Sequence, residues 1–307
     1  MLKSRDVEDP INVWVHRPLA YGFVWATFRT SLTPNQVTLM ATIVGIIAGG
    51  MWLWGTPGAM VAGGILLWTS AILDGADGIL ARAKKMSSEF GRALDGSADM
   101  LVGLVTTLAA FHHAYQKTND PIYWYLAPVA IGMTVGHVYM YDFYKESYLR
   151  FTQINRNSDG GDAPQVAKRI AELEEEGGNL LGRMVLKHGL LSILRAQHAI
   201  VTVLNPGALR QGRRFTRNER TVEIYERHNI GPMRLWAIVS VAPHTYIMAM
   251  CAMFDHVELY LWIRLFLMNG VFFVALIWQR RATENTMREL ADIGAAPVTI
   301  SVQTAEA

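Results

Sequence analysis

The chain is poor in cysteine and in charged residues, and it has no strong excess of basic residues. Its single cysteine, Cys251, cannot form an internal disulfide, which excludes a disulfide scaffold. Charged residues make up only 18% of the 307 residues, whereas a soluble domain carries about a quarter. The net charge of +2 is far from the strongly basic balance of a nucleic-acid-binding domain. We therefore expect neither redox chemistry nor a nucleic-acid partner.

Apolar residues dominate instead. Hydrophobic residues make up 51% of the chain, and the mean hydropathy is positive at +0.18. A membrane-spanning helix needs roughly 20 mostly apolar residues. Six apolar runs fit that requirement, so we predict an all-α integral membrane protein with six transmembrane helices. The predicted spans are Val37–Trp54, Pro57–Leu73, Met100–Ala114, Ile122–Tyr141, Leu235–Phe254 and Val257–Trp278.

The basic residues predict how these spans are oriented. The links on one side are short and carry one basic residue, Lys117, while Arg264 lies inside the sixth span. All other lysines and arginines fall on the opposite side, which the positive-inside rule makes cytoplasmic. We therefore predict a multi-pass protein of the inner (cytoplasmic) membrane with both termini in the cytoplasm. We expect no cleavable signal, because the first nine residues are charged and precede no apolar core.

Composition shifts divide the chain into five predicted regions. Residues 1–32 form a cytoplasmic N-terminus, in which Asn12–Arg29 is too polar to span and is predicted to lie in the interface as an amphipathic helix. Residues 33–150 hold the first four spans, and residues 151–231 form a cytoplasmic helical insert. The last two spans occupy residues 232–282, and residues 283–307 form a cytoplasmic tail.

The stretch from Asp74 to Asp99 carries the chemistry. Asp74 and Asp77 are one helical turn apart, and Asp95 and Asp99 follow Gly91 at four-residue steps on the next helix. A carboxylate in a membrane helix is costly, about 2.5–3.5 kcal/mol on insertion scales, and four that converge also repel one another. One interpretation is a solvated loop with scattered acids. The helical spacing favours another, a divalent-metal site.

The chemistry of the ligands limits which metals the predicted site would bind. Carboxylate oxygens without Cys or His suit Mg²⁺, Mn²⁺ or Ca²⁺ rather than Zn²⁺. Four carboxylates on two rigid helices can hold two ions about 3.5–4 Å apart, which suits displacement at phosphorus. Arg82 can grip a phosphate with two parallel hydrogen bonds. Gly78, Ala81 and Gly91 leave room for a ligand, although each could equally serve ordinary small-residue helix packing.

The whole pattern resembles a known signature. The sequence fits D-x2-D-G-x2-A-R-x8-G-x3-D-x3-D at every fixed position, which resembles the signature of the CDP-alcohol phosphotransferase family, also called CDP-alcohol phosphatidyltransferases. The resemblance covers roughly residues 33–150, and residues 234–281 by hydropathy alone. The eight matching residues are Asp74, Asp77, Gly78, Ala81, Arg82, Gly91, Asp95 and Asp99.

That resemblance implies roles for the matching residues. Asp74, Asp77 and Asp95 are implied to bind Mg²⁺ or Mn²⁺, with two ions expected. Asp99 is implied to complete the metal site and to act as the general base. Arg82 would contact the diphosphate of a CDP-linked donor, and Gly78, Ala81 and Gly91 would lie at the CDP moiety. Asn35 is a further candidate there, unless it or Thr33 serves only to cap the first spanning helix.

The resemblance also implies a reaction. We expect transfer of a phosphatidyl group from CDP-diacylglycerol to a polar alcohol of the inositol phosphate, glycerol phosphate or serine class, with release of CMP. Lys145 and Arg150 could bind the acceptor, or could only anchor the fourth span at its cytoplasmic end. The family implies a homodimer within membrane lipid.

Two other functions stay open at this stage. A CDP-choline- or CDP-ethanolamine-type donor could transfer its group to a lipid alcohol. A divalent-cation transporter could also carry acidic residues in its membrane helices. Against transport, all four aspartates lie at one lip of the predicted membrane region, and nothing acidic continues across its middle.

Overall fold

The computed structural model describes residues 7–152, 167–168, 170–172, 184–211 and 218–295, and all regular secondary structure in those ranges is helical. The all-α prediction is therefore confirmed. Within the described residues, eleven α-helices can be named, with π-helical turns at Asn12–His16, Val185–Leu190 and Ile263–Met268. The helices are α1 (Arg17–Thr27), α2 (Pro34–Trp54), α3 (Pro57–Ala83), α4 (Glu89–Thr118), α5 (Ile122–Thr152), α6 (Leu191–Leu204), α7 (Pro206–Gln211), α8 (Glu219–Ile238), α9 (Val241–Met253), α10 (Val257–Trp262) and α11 (Asn269–Asp292).

Five helical segments in the described ranges are long and apolar enough to cross a membrane. They correspond to α2, α3, most of α4, α8 with α9, and α10 with α11. The fourth predicted span lies in α5, which has 31 residues and contains Pro128, but α5 is not among the five. The total of six spans therefore stays a prediction.

Local sequence signals set the ends of α2 and α3. Thr33 caps α2 through a capping box with Gln36, and Pro34 occupies the first helical position, where its missing N–H costs nothing. Gly55 ends α2 in the left-handed region with φ of 74°, a conformation that glycine adopts without strain. Thr56 then caps α3. The two helices thus form a tight hairpin.

Small residues let α2, α3 and α4 approach closely. A Cβ atom placed on Gly63 of α3 would come within 2.5 Å of Trp52 Nε1 and 2.8 Å of the Ala48 carbonyl oxygen on α2. On the α4 side, a Cβ on Gly45 would come within 2.6 Å of Val102. Packing of this kind holds membrane helices together because lipid supplies no hydrophobic driving force between them. It also fixes how α3 and α4 are aligned at the candidate site.

The N-terminal helix α1 packs on the bundle along one face. Ala20 and Val24 on one face of α1 are buried against α3, whereas Trp14 and Trp25 are exposed. Within the predicted insert, α6 packs on α5, where Gln197 Nε2 donates a hydrogen bond to the Tyr139 carbonyl at 2.9 Å. Other parts of the insert and of the C-terminal tail lie outside the described residues, and the division into five regions stays a prediction.

Candidate active site

The site lies along the α3–α4 hairpin. The link between the helices turns at Lys85, which has a φ of 56°, and Ser88 caps α4 by accepting a hydrogen bond from the Gly91 N–H at 3.0 Å. Lys84 Nζ donates to the carbonyl oxygens of Thr30 and Leu32 at 2.9 and 2.8 Å. These bonds fasten the hairpin turn to the segment between α1 and α2, so that α2, α3 and α4 meet at one end of the bundle. We call this the hairpin end.

Three of the four predicted metal ligands converge. One carboxylate oxygen from each of Asp74, Asp95 and Asp99 lies within 4.8 Å of the other two, and all three residues are half-buried. Asp74 comes from α3, and Asp95 and Asp99 come from successive turns of α4. The short turn between the two helices, and the packing of both on α2, therefore bring together residues that are more than twenty positions apart in the sequence.

Asp77 stands beside this cluster. It is 7% exposed and accepts a hydrogen bond from the Thr38 hydroxyl of α2. Electrostatic interaction couples Asp77 to Asp95, the neighbouring member of the cluster. Thr38 is itself 4% exposed, so the bond that orients Asp77 is shielded from solvent. Thr38 is not among the predicted site residues, because a threonine in a membrane helix commonly bonds only its own backbone.

The donor set fits a hard divalent cation. All the converging atoms are carboxylate oxygens, which Mg²⁺ and Mn²⁺ prefer, and like charges this close repel unless a cation or protons neutralise them. Two oxygens that bind one Mg²⁺ at about 2.1 Å can be no more than about 4.2 Å apart. The observed upper limit of 4.8 Å is therefore within a small side-chain adjustment of such a site.

The predicted CDP-contacting residues surround the hairpin end. A Cβ on Gly91 would lie 3.3 Å from Asn35 Oδ1, which places the start of α2 against the start of α4. Thr33, not Asn35, caps α2, and the Asn35 side chain instead faces Gly91. On α3, the Arg82 guanidinium folds back over Gly78, with Nη1 3.4 Å from the position of a Cβ on that glycine. Ala81, on the same turn, is half-buried.

The two predicted acceptor residues have different surroundings. Lys145 pairs with Asp142, lies 4.8 Å from the centre of the Tyr141 ring, and is close enough to interact electrostatically with Asp99. Arg150, five residues further along α5, lines a small pocket with aromatic residues of α5 and α8. The structure thus brings Lys145 into the electrostatic environment of the aspartates. Asp142, the ion-pair partner of Lys145, also lies near Asp99 and is not one of the predicted site residues.

Comparison with known protein families finds a match for the part of the chain that contains the candidate site. Residues 31–150 match the family described as CDP-alcohol phosphatidyltransferase. This segment belongs to that family. It includes α2, α3, α4 and nearly all of α5, and with them every residue that the sequence analysis assigned to the site.

One curated relative also matches part of the chain. Over 120 residues, or 39% of this chain, the sequence is 35% identical to the Bifunctional IPC transferase and DIPP synthase of Thermococcus kodakarensis. The match covers 26% of that protein, so the chain spans about a quarter of the length of the relative. The likeness is therefore one between segments.

Proposed function

We propose that the protein transfers a substituted phosphate group from a CDP-linked donor to an alcohol and releases CMP. The observation that carries the proposal is the convergence of Asp74, Asp95 and Asp99 inside a CDP-alcohol phosphatidyltransferase segment. The relative that matches 39% of the chain is named a transferase as well. CDP-diacylglycerol is the proposed donor, and a polar alcohol of the inositol phosphate, glycerol phosphate or serine class is the proposed acceptor.

Asp74, Asp77, Asp95 and Asp99 would hold the divalent cations, Mg²⁺ or Mn²⁺, in a two-ion site. Such ions neutralise the charge on a diphosphate and stabilise the departing CMP. Asp77 would be held in a binding orientation by Thr38, and Asp74 and Asp99 by their positions on rigid helices. Gly78, Ala81, Gly91 and Asn35 would leave space for the nucleotide, and Arg82 would contact its diphosphate.

Asp99 is the proposed general base. In the reaction, the acceptor hydroxyl oxygen forms a bond to the phosphorus that carries the phosphatidyl group. The bond from that phosphorus to the CMP oxygen breaks, and the hydroxyl proton passes to the Asp99 carboxylate. Lys145, which interacts electrostatically with Asp99, would bind a phosphate or carboxylate of the acceptor close to this base. Arg150 would extend that acceptor region along α5.

The membrane supports a lipid donor. Helices able to cross a bilayer surround the aspartates, so the acyl chains of a donor could remain in lipid while its diphosphate reaches the hairpin end. By the positive-inside argument this end faces the cytoplasm, and the protein lies in the inner membrane. The homodimer is proposed from the family resemblance alone. A soluble CDP-choline-type donor would not need this lateral route.

CMP release tests the proposal. Purified protein in lipid nanodiscs is given labelled CDP-diacylglycerol, Mg²⁺ or Mn²⁺ and a panel of acceptor alcohols, and the lipid product is identified by its mass. We expect CMP release that needs both metal and acceptor. Asp99→Asn should abolish turnover while most nucleotide binding remains, whereas Asp77→Asn should also weaken metal binding. Absence of CMP from any CDP-linked donor, together with metal flux into vesicles, would instead favour a cation transporter.

A further inference from the structure

Part of the predicted insert packs against the start of α4. The π-helical turn and α6 at residues 185–204 lie outside the segment that matches the family, and we call them the backing segment. A Cβ atom placed on Gly189 of this segment would come within 2.9 Å of Ser97 Oγ and 3.8 Å of the Ala93 carbonyl oxygen. Ala93 is 1% exposed and shares an apolar cluster with Leu191 of α6. The approach is therefore so close that only glycine fits at position 189 without a shift of its surroundings.

These contacts lie on the face of α4 that points away from the site. At about 100° per residue, Ala93 and Ser97 point about 160° away from the two α4 aspartates around the helix axis. The aspartates share their side of the helix with Val102, which packs on α2. The start of α4 is therefore held between the bundle on one face and the backing segment on the other.

The backing segment is itself anchored on α5. Gln197 Nε2 donates a hydrogen bond to the Tyr139 carbonyl oxygen at 2.9 Å. Just past the end of α6, Asn205 Nδ2 donates to the Tyr144 hydroxyl at 2.9 Å, and both residues are buried. Through these bonds the segment connects α5 with the back of α4.

Electrostatic repulsion acts against the alignment that the metal site needs. Until a cation or protons neutralise them, the carboxylates on α4 repel Asp74 on α3, and this force separates the two helices. The converging oxygens lie within 4.8 Å of one another, whereas one Mg²⁺ needs them within about 4.2 Å, so the site tolerates little outward movement of α4. The turns that carry Asp95 and Asp99 also precede the apolar run that begins at Met100, so lipid does not hold them in place.

We propose that the backing segment is a positioning element of the metal site, in which the contact at Gly189 holds the start of α4 against α3. The inference rests on the proposed function. Gly189 acts through α4, since the neighbours of its Cβ position are Ser97 and Ala93, on the face opposite the metal ligands. In this arrangement a segment outside the matched family residues keeps the two α4 aspartates within binding distance of Asp74.

Binding of Mn²⁺ in the presence of CDP tests the proposal without requiring turnover, and it is measured by electron paramagnetic resonance on the full chain in lipid nanodiscs. Gly189→Ala should weaken Mn²⁺ affinity about tenfold, the lower end of what the orientation of metal ligands is worth, because the new Cβ moves the segment away from α4. Ser97→Ala removes the oxygen that this Cβ meets, so the double variant should regain the wild-type affinity. Gly103→Ala is the matched control, because a Cβ at Gly103 of α4 meets open space.

Comparison of the single and double variants separates positioning from folding. Unchanged Mn²⁺ affinity in Gly189→Ala, or no recovery in the double variant, would overturn the proposal. A lower melting temperature of Gly189→Ala with wild-type Mn²⁺ affinity would show that the contact only stabilises the fold, which would overturn it as well. Wild-type protein that bound Mn²⁺ but released no CMP from any CDP-linked donor would refute the proposed function, while the Mn²⁺ affinities of the variants would still decide the positioning role.

Discussion

Loss of the Thr38 hydroxyl should weaken metal binding without removing any metal ligand. In the structure this hydroxyl donates to the Asp77 carboxylate, and both residues are less than a tenth exposed. Thr38→Val keeps the shape of the side chain and removes the donor, so the Asp77 carboxylate loses the bond that orients it. Groups that orient metal ligands are worth about 10- to 100-fold in metal affinity. That range corresponds to about 1.4–2.7 kcal/mol.

The assay measures how CMP release depends on Mg²⁺ concentration at saturating donor. Thr38→Val should need about 10- to 100-fold more Mg²⁺ for half-maximal rate and should approach the wild-type rate when Mg²⁺ is saturating. Thr42→Val is the matched control, because Thr42 lies one turn further along α2 and bonds only the Thr38 carbonyl, at 2.8 Å. The same Mg²⁺ requirement in both variants would refute the role of Asp77 as an oriented ligand.

Two further predictions concern packing and protonation. Gly63→Ala places a Cβ 2.5 Å from Trp52 Nε1. The overpacking should lower the free energy of unfolding, measured in thermal melts, by about 1–3 kcal/mol. Gly50→Ala is the control and should not lower it, because a Cβ at Gly50 meets open space. Equal melting temperatures of the two variants would contradict the close packing at Gly63. Burial lowers the pKa of His16 below its ordinary 6.5. As the pH falls, His16 therefore takes up a proton in the unfolded chain before it does so in the folded protein. The free energy of unfolding should decrease as the pH drops below 6.5. His16→Phe should lose this pH dependence, and an unchanged dependence would show that another group is responsible.

Much of the site was predictable because it repeats at helical spacing within one hairpin. Asp74, Asp95 and Asp99 converge as their spacing indicates, since two helices that are joined by a short turn and both pack on a third can align in few ways. The hydropathy pattern did not predict where α4 starts. The apolar run predicts a span from Met100, yet the helix begins at Glu89, because the turns that carry the aspartates are too polar for a hydropathy signal.

Contacts between distant segments could not be predicted in the same way. The bond from Thr38 to Asp77 joins residues 39 positions apart and depends on how α2 aligns with α3. The bond from the Tyr141 hydroxyl to the Val7 carbonyl joins residues 134 positions apart and depends on where the N-terminal segment crosses α5, which no local pattern encodes. Sequence spacing therefore identifies the ligands, whereas packing decides which neighbours orient them.

The most direct test asks whether the aspartates bind a divalent cation together with a cytidine diphosphate. It measures Mn²⁺ binding by electron paramagnetic resonance, with and without CDP. The wild type should bind Mn²⁺ more tightly with CDP than without it, and Asp95→Asn should lose this binding. Asp255→Asn is the control, because Asp255 lies at the opposite end of the bundle, paired with His113 and Lys117. Mn²⁺ binding by Asp95→Asn that equals the wild type would contradict the account.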